Sequence, residues 1–237
     1  MKVSLDRLLE LNKSNFIEKE NYVDIGPIEN IRLQHLNFSY EIDPIIKDFS
    51  YNFVKGKIYC ITGYNGAGKS TLLDLIMGLY QDEYTGDIIF NNINITDLNM
   101  RQIIGEYFSI LSQKSIFLFG SIRENIKLNK NISDEEINKI LYEFNFYSDL
   151  KDLSLDTIIN FTCNNFSGGE LQKIALCRML LYKNCVHILD EPTTYLDYKS
   201  KKNLLNYLEE IKKNSIVIIV SHDNEIINNA DYIINLD

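Results

Sequence analysis

With 237 residues, 45% of them hydrophobic and 24% charged, the chain has room for one large domain with a subdomain and is no solenoid or small stapled fold. A formal net charge of −9 and a pI near 4.9 argue against nucleic acid or an anionic membrane surface as the main partner. Cys60, Cys163, Cys177 and Cys185 show neither C-x-x-C nor histidine-paired zinc spacing and are expected to be reduced and structural in a cytosolic compartment, while Asp6, Arg7 and Glu10 interrupt the leucines that a secretory leader would need and no apolar run approaches the roughly 20 residues of a bilayer span.

The first segment pairs a short amphipathic pattern (Val3, Leu5, Leu8, Leu9) with a polar stretch and the turn Gly26-Pro27, and reads as a helix end plus a linker over residues 1–30. From Ile31 the pattern turns to strands. Ile31, Leu33, Leu36 and Phe38 form one, and the alternating Phe49, Tyr51 and Phe53 a second, antiparallel to it. Tyr40, an aromatic at a strand end ahead of a glycine loop, is a candidate to stack on a purine.

The β-rich run Lys57 to Thr62 leads into Gly63-Tyr64-Asn65-Gly66-Ala67-Gly68-Lys69-Ser70-Thr71, and Leu72, Leu73, Leu75, Ile76 and Leu79 follow at helical spacing. Strand, glycine loop and helix in that order form a phosphate cradle, because glycines let consecutive N–H groups converge on an anion at the positive end of the helix. Lys69 is then expected to reach the β and γ phosphates, and the Ser70 hydroxyl to ligate Mg²⁺.

Further strands are expected at Asp87 to Phe90 and at Phe108 to Ser112, the latter ending beside Gln113. Residues from Ser121 to about Asp152 look helical and separate from the sheet, with Ser133 capping the acidic turn Asp134-Glu135-Glu136. Ser167-Gly168-Gly169-Glu170 opens a helix with Ile174, Ala175, Met179 and Leu180 on its apolar face, a second potential phosphate site. Val186 to Leu189 ends in Asp190-Glu191-Pro192, and Ile216 to Val220 ends in Ser221-His222. The alternation from Lys57 onward implies a largely parallel α/β sheet with polar groups at the strand C-termini.

Phosphoryl transfer to water needs a phosphate cradle, a metal and a group that orients the attacking water. Asp190 suits Mg²⁺ beside Ser70, and Gln113 offers it an amide oxygen. Glu191 faces the γ-phosphate as base or water positioner, and His222 contacts that phosphate or the water. His35 and His187 are read as surface or hydrogen-bonded residues outside this constellation.

In these motifs the chain resembles the ATP-binding cassette (ABC) ATPases, from Ile31 to Asp237. Gly63 to Thr71 match Walker A, Gln113 the Q-loop, Ser167-Gly168-Gly169-Glu170 the signature, Val186 to Asp190 Walker B, Glu191 the catalytic glutamate, Leu196-Asp197 the D-loop end and His222 the switch histidine, with Tyr40 at the adenine-stacking position. The segment Gln113 to Ile126 and the run Ser4 to Leu11 are most similar to exporters. The resemblance implies an α/β phosphate-loop (RecA-like) core with an N-terminal antiparallel β subdomain and an inserted helical subdomain at about 114–165, all within residues 31–237. It also implies ATP and Mg²⁺, a head-to-tail dimer with ATP held between one copy's Walker A loop and the other's signature, and a transmembrane partner at the cytoplasmic face of the membrane. Exporter-like features permit peptides, lipids or drugs as cargo, and the branch resemblance favours a peptide.

Three departures stand out. The signature reads Phe166-Ser167-Gly168-Gly169-Glu170 where Leu and Gln are commonest at its ends, putting a carboxylate near the partner's nucleotide; Asn160 to Asn164 replace the usual acidic X-loop; and Tyr195 stands where the D-loop usually has a small residue, altering contacts across the dimer. Two rivals to the exporter reading are a soluble ABC ATPase of repair or translation and a regulatory module that binds ATP without hydrolysing it. The single cassette without a heptad insertion disfavours the first, and the intact catalytic positions disfavour the second.

Overall fold

A computed structural model describes residues 22–40, 43–81, 83–146, 154–160, 162–163 and 165–236. Most of the 1–30 linker, and residues 161 and 164 of the X-loop segment, lie outside the described residues. In chain order the elements are β1 (Asn30–Ser39), β2 (Pro44–Val54), β3 (Lys57–Thr62), α1 (Lys69–Ile76), β4 (Tyr84–Phe90), β5 (Ile93–Asn94), α2 (Met100–Tyr107) and β6 (Phe108–Leu111). There follow β7 (Gly120–Ser121), α3 (Ile122–Lys127), α4 (Asp134–Glu143), β8 (Ile158–Ile159), α5 (Gly168–Leu181), β9 (Val186–Asp190), α6 (Tyr198–Ile211), β10 (Ile216–Val220), α7 (Asn224–Asn229) and β11 (Tyr232–Asn235).

The central sheet is parallel, in the order β11-β3-β10-β9-β6. Its strands are apolar on both faces, and alternate residues feed different cores. Tyr59, Ile61, Ile188, Ile216, Ile218 and Val220 join the antiparallel sheet and α1 on one side. Ile58, Cys60, Leu189, Val217 and Ile219 join α3 to α7 on the other. This places the C-terminal ends of β3, β10, β9 and β6 side by side, the edge at which open α/β sheets bind ligands.

The antiparallel sheet runs β2-β1-β4-β5. The strand at Asp87 to Phe90 thus leaves the helix-strand alternation expected of it and pairs back onto β1. Its burial explains the choice: Ile88 and Phe90 are buried while Thr85, Gly86 and Asp87 are exposed, and such a half-polar strand cannot sit inside a parallel sheet. Gly86, at φ 93°, lies where β1 breaks register, and a Cβ there would stand 2.4 Å from the carbonyl oxygens of Gln34 and His35. Only glycine fits so close a backbone approach.

Within residues 114–165, α3 and α4 each begin with a reciprocal capping box. Ser121 pairs with Glu124 and Ser133 with Glu136, each box worth about 1 kcal/mol to its helix. Ile122, Ile126, Ile137, Leu141 and Phe144 pack the unit onto α5 through Ile174 and Met179. The C-terminal end of α4 is tied to α6, where Ser200 Oγ donates to the Phe144 carbonyl at 2.6 Å.

Candidate active site

β3 delivers its last residue, Thr62, directly into the glycine loop, and α1 starts at Lys69 with Gly68 as its N-terminal cap. Gly66 and Gly68 sit at φ 94° and 92°, left-handed values that strain any residue with a Cβ. At Gly68 a Cβ would also meet Ile45 Cγ2 at 2.6 Å. No side chain caps the first turn of α1, so its N–H groups face outward at the positive helix end. Lys69 is buried, 8% exposed, and its Nζ donates to the carbonyls of Gly63 at 2.6 Å and Tyr64 at 2.9 Å. The ammonium is therefore stretched along the loop rather than extended into solvent.

Ser70, the next residue, donates its hydroxyl to Asp190 Oδ2 at 2.8 Å, joining α1 to the end of β9. Burial raises the Asp190 carboxyl above its usual range, and the Ser70 bond and the Lys69 charge oppose that shift. Glu191 follows in the left-handed region at φ 51°, its N–H donating to the Val220 carbonyl at 2.9 Å. This backbone conformation, costly for a residue with a side chain, turns Glu191 away from the strand line toward His222. Glu191 Oε1 lies 3.7 Å from His222 Nε2. Burial also raises the Glu191 carboxyl, with His222 lowering it again.

Tyr40 lies just past β1, and its hydroxyl hydrogen bonds with Thr71 Oγ1 at 3.1 Å and the Tyr80 hydroxyl at 3.2 Å. Its ring packs edge-on against Phe38 and remains 44% exposed beside the glycine loop. Tyr64, Asn65 and Gly66 are exposed in that loop, whereas Ala67 is buried. Gln113 stands exposed two residues past β6, at the same edge of the parallel sheet. His35 is a surface residue bonded to Asp48 at 2.7 Å. His187 is buried with Nε2 3.0 Å from the Asn184 carbonyl, and desolvation pulls its pKa down to about 4. All four cysteines are free thiols; burial pushes Cys60 up to about 11.

Ser167, Gly168 and Gly169 open α5, with Ser167 and Gly168 exposed. Within the chain, the Glu170 carboxylate takes part in the cap of its own helix. Its Oε2 accepts from the Ser167 N–H at 2.6 Å, and the Ser167 hydroxyl accepts from the Glu170 N–H at 3.2 Å. This capping box was legible in the Ser-x-x-Glu spacing, and it satisfies two donors at the helix start.

Asp74 was not singled out from sequence. One helical turn after Ser70, it is pushed up to about 6 by burial and then by the neighbouring Asp190. Above about pH 6 the charged form is penalised only in the folded state, and the penalty is relieved as pH falls from there toward about 4, where the unfolded carboxyl titrates. In metal-free buffer Asp74→Asn is therefore expected to melt above the parent at about pH 7.5, with the gap narrowing by about pH 5. Thermal melts at both values check this, and a gap that ignores pH sinks it.

Comparison with known proteins fits this geometry. The family model described as ABC transporter matches residues 46–194. A putative export ATP-binding/permease protein of Rickettsia bellii (strain RML369-C) is 33% identical over 242 residues, covering 99% of this chain and 42% of the relative. The microcin-J25 export ATP-binding/permease protein McjD of Escherichia coli is 33% identical over 211 residues, covering 87% of this chain and 36% of that protein. This chain thus spans less than half the length of these curated relatives. A solved structure of a bacterial Atm1-family ABC exporter with ATP bound superposes with a TM-score of 0.81 at 22% identity, covering 98% of this chain and 42% of that one, and shows the shared fold. Among the described residues no helix is long and apolar enough to cross a membrane. With a phosphate loop, a signature helix and the two acidic strand-end residues in one fold, the chain belongs to the ABC transporter family, as an ATP-binding domain.

Proposed function

We propose that this chain hydrolyses ATP to ADP and phosphate as the motor domain of an exporter, working as a head-to-tail pair attached to membrane-spanning segments at the cytoplasmic face. The observation that carries this reading is the meeting, at one sheet edge, of Ser70 bonded to Asp190 at 2.8 Å with Glu191 and His222 3.7 Å apart beside them. Residues 1–30 serve as the connector to the membrane part, and 31–237 as the cassette, with its helical subdomain at about 114–165. For the cargo we infer a peptide, on the likeness to the exporter branch and on a relative named for microcin-J25 export.

The roles follow from chemistry. Tyr40 offers a ring face to adenine, the N–H groups of residues 63–71 and the Lys69 ammonium bind the triphosphate, and Ser167, Gly168 and Gly169 of the second copy face its γ-phosphate. Ser70, Asp190 and Gln113 form an all-oxygen set that suits Mg²⁺, which when bound neutralises charge on the phosphates. Glu191 removes a proton from the attacking water as the γ-phosphorus to oxygen bond breaks and ADP departs. Its raised pKa makes it the stronger base, and His222, 3.7 Å away, contacts the γ-phosphate or the attacking water. Glu170 braces the signature helix through its bond to the Ser167 N–H and brings its carboxylate to the edge of the second copy's nucleotide.

Phosphate release by the purified chain with Mg²⁺ and ATP tests the proposal. At low protein the rate is expected to rise with the square of concentration, as a two-copy site requires. A strictly linear rise sinks the dimer, and no release leaves the ATP-binding module as the better reading.

A further inference from the structure

We propose that Tyr195 is a positioning residue for the signature turn: its ring braces Gly168 and Gly169 of its own chain, so that they meet the partner's triphosphate already shaped. The inference rests on the head-to-tail pair proposed above.

The Tyr195 side chain lies close against both glycines. A Cβ built on Gly169 would lie 3.3 Å from Tyr195 Cδ1 and 3.6 Å from Cγ, and one on Gly168 would lie 3.8 Å from the Tyr195 hydroxyl. The ring thus runs along the two glycines toward the open end of α5, and Gly169 is half-buried while Ser167 and Gly168 stay exposed. Two adjacent glycines at a helix start are the residues most costly to order, since nothing on them packs. The tyrosine supplies that packing from outside.

The ring can brace because its own segment is fixed at both ends. Thr194 Oγ1 donates to the Glu191 carbonyl at 3.1 Å, and the Leu196 N–H donates to the Thr193 carbonyl at 3.1 Å. Beyond it, Asp197 caps α6 by accepting from the Ser200 N–H at 2.7 Å, and also accepts from Asn145 Nδ2 at 3.2 Å. One short turn therefore carries Glu191 at its start and a ring on the signature near its end. Tyr195 itself is 51% exposed, so its removal threatens no core.

The test is sedimentation velocity of the chain with Mg²⁺ and ATP, in the Glu191→Gln background so that nucleotide persists. Tyr195→Ala is expected to need about tenfold more protein to dimerise, since each dimer loses two braces, whereas Tyr195→Phe, which keeps the ring, stays within about twofold. Binding of a fluorescent ATP analogue to the dilute single chain should be unchanged in both. Gly169→Ala adds a second reading: its methyl crowds the ring at 3.3 Å, so its cost should shrink when Tyr195→Ala is also present. Equal or tighter dimerisation of Tyr195→Ala, or strict additivity with Gly169→Ala, overturns the brace while leaving the proposed function standing. Failure of the Glu191→Gln parent to dimerise at all overturns that function, and the inference with it.

Discussion

Glu191→Gln is expected to lower phosphate release by about a thousandfold while ATP still binds and the dimer accumulates. Glutamine keeps the size of the side chain and can occupy the same left-handed turn, whose N–H is anchored on Val220 at 2.9 Å. What it loses is the ability to take a proton from water. The carboxyl it replaces is suited to that task, because burial raises its pKa and so strengthens it as a base, with the His222 ring 3.7 Å away. The ligands proposed for Mg²⁺ stay, since the Ser70 to Asp190 bond does not involve Glu191. Single-turnover hydrolysis, equilibrium binding of ATP and sedimentation should be read together. Normal turnover in the variant removes Glu191 from the role of base, and lost ATP binding marks it as a structural residue.

Much of this site was legible because its residues are close in sequence to the elements that hold them. The glycine loop, Asp190-Glu191 and His222 each follow or end a mostly apolar strand, and the unbroken run Ile216 to Val220 announces a buried strand whatever its neighbours do. The parallel order of β3, β10, β9 and β6 then makes their ends converge, although the intervening segments are long. Less legible was whatever depends on a contact between distant segments. That β4 returns to β1 turns on burial of Ile88 and Phe90 in a core shared with β1, which alternation alone does not name. The Asp74 shift needs Asp190 to arrive from another strand, and the Tyr195 ring on Gly169 needs the segment after β9 to fold against α5. The left-handed backbone at Glu191 has no sequence signature, because glutamate is not a residue that favours it. The Glu170 carboxylate is a different case, since its capping role follows from the local Ser-x-x-Glu pattern alone.

Lys69→Ala is expected to weaken ATP binding by roughly ten- to a hundredfold, the loss of one or two hydrogen bonds from a charged donor to phosphate. In the structure the ammonium is held by two backbone carbonyls of its own loop, 2.6 Å from Gly63 and 2.9 Å from Tyr64. Those contacts fold the side chain across the cradle and keep a positive charge at its floor before any anion arrives, so little has to be ordered on binding. The alanine variant removes that charge without adding bulk, and the carbonyls it releases belong to a loop whose tip is exposed, so water can replace the lost bonds. Its melting temperature should therefore fall only slightly. Lys69→Arg separates charge from shape: the guanidinium keeps the charge but is a wide planar fork, poorly matched to a slot between two converging carbonyls. Calorimetric titration with ATP is expected to rank the parent above both variants, and Lys69→Arg no better than about threefold above Lys69→Ala. Unchanged affinity in Lys69→Ala would place the triphosphate elsewhere, because a buried lysine lining the cradle cannot be indifferent to it. Equal binding by Lys69→Arg and the parent would show instead that charge alone matters, and that the two carbonyl contacts are incidental to recognition.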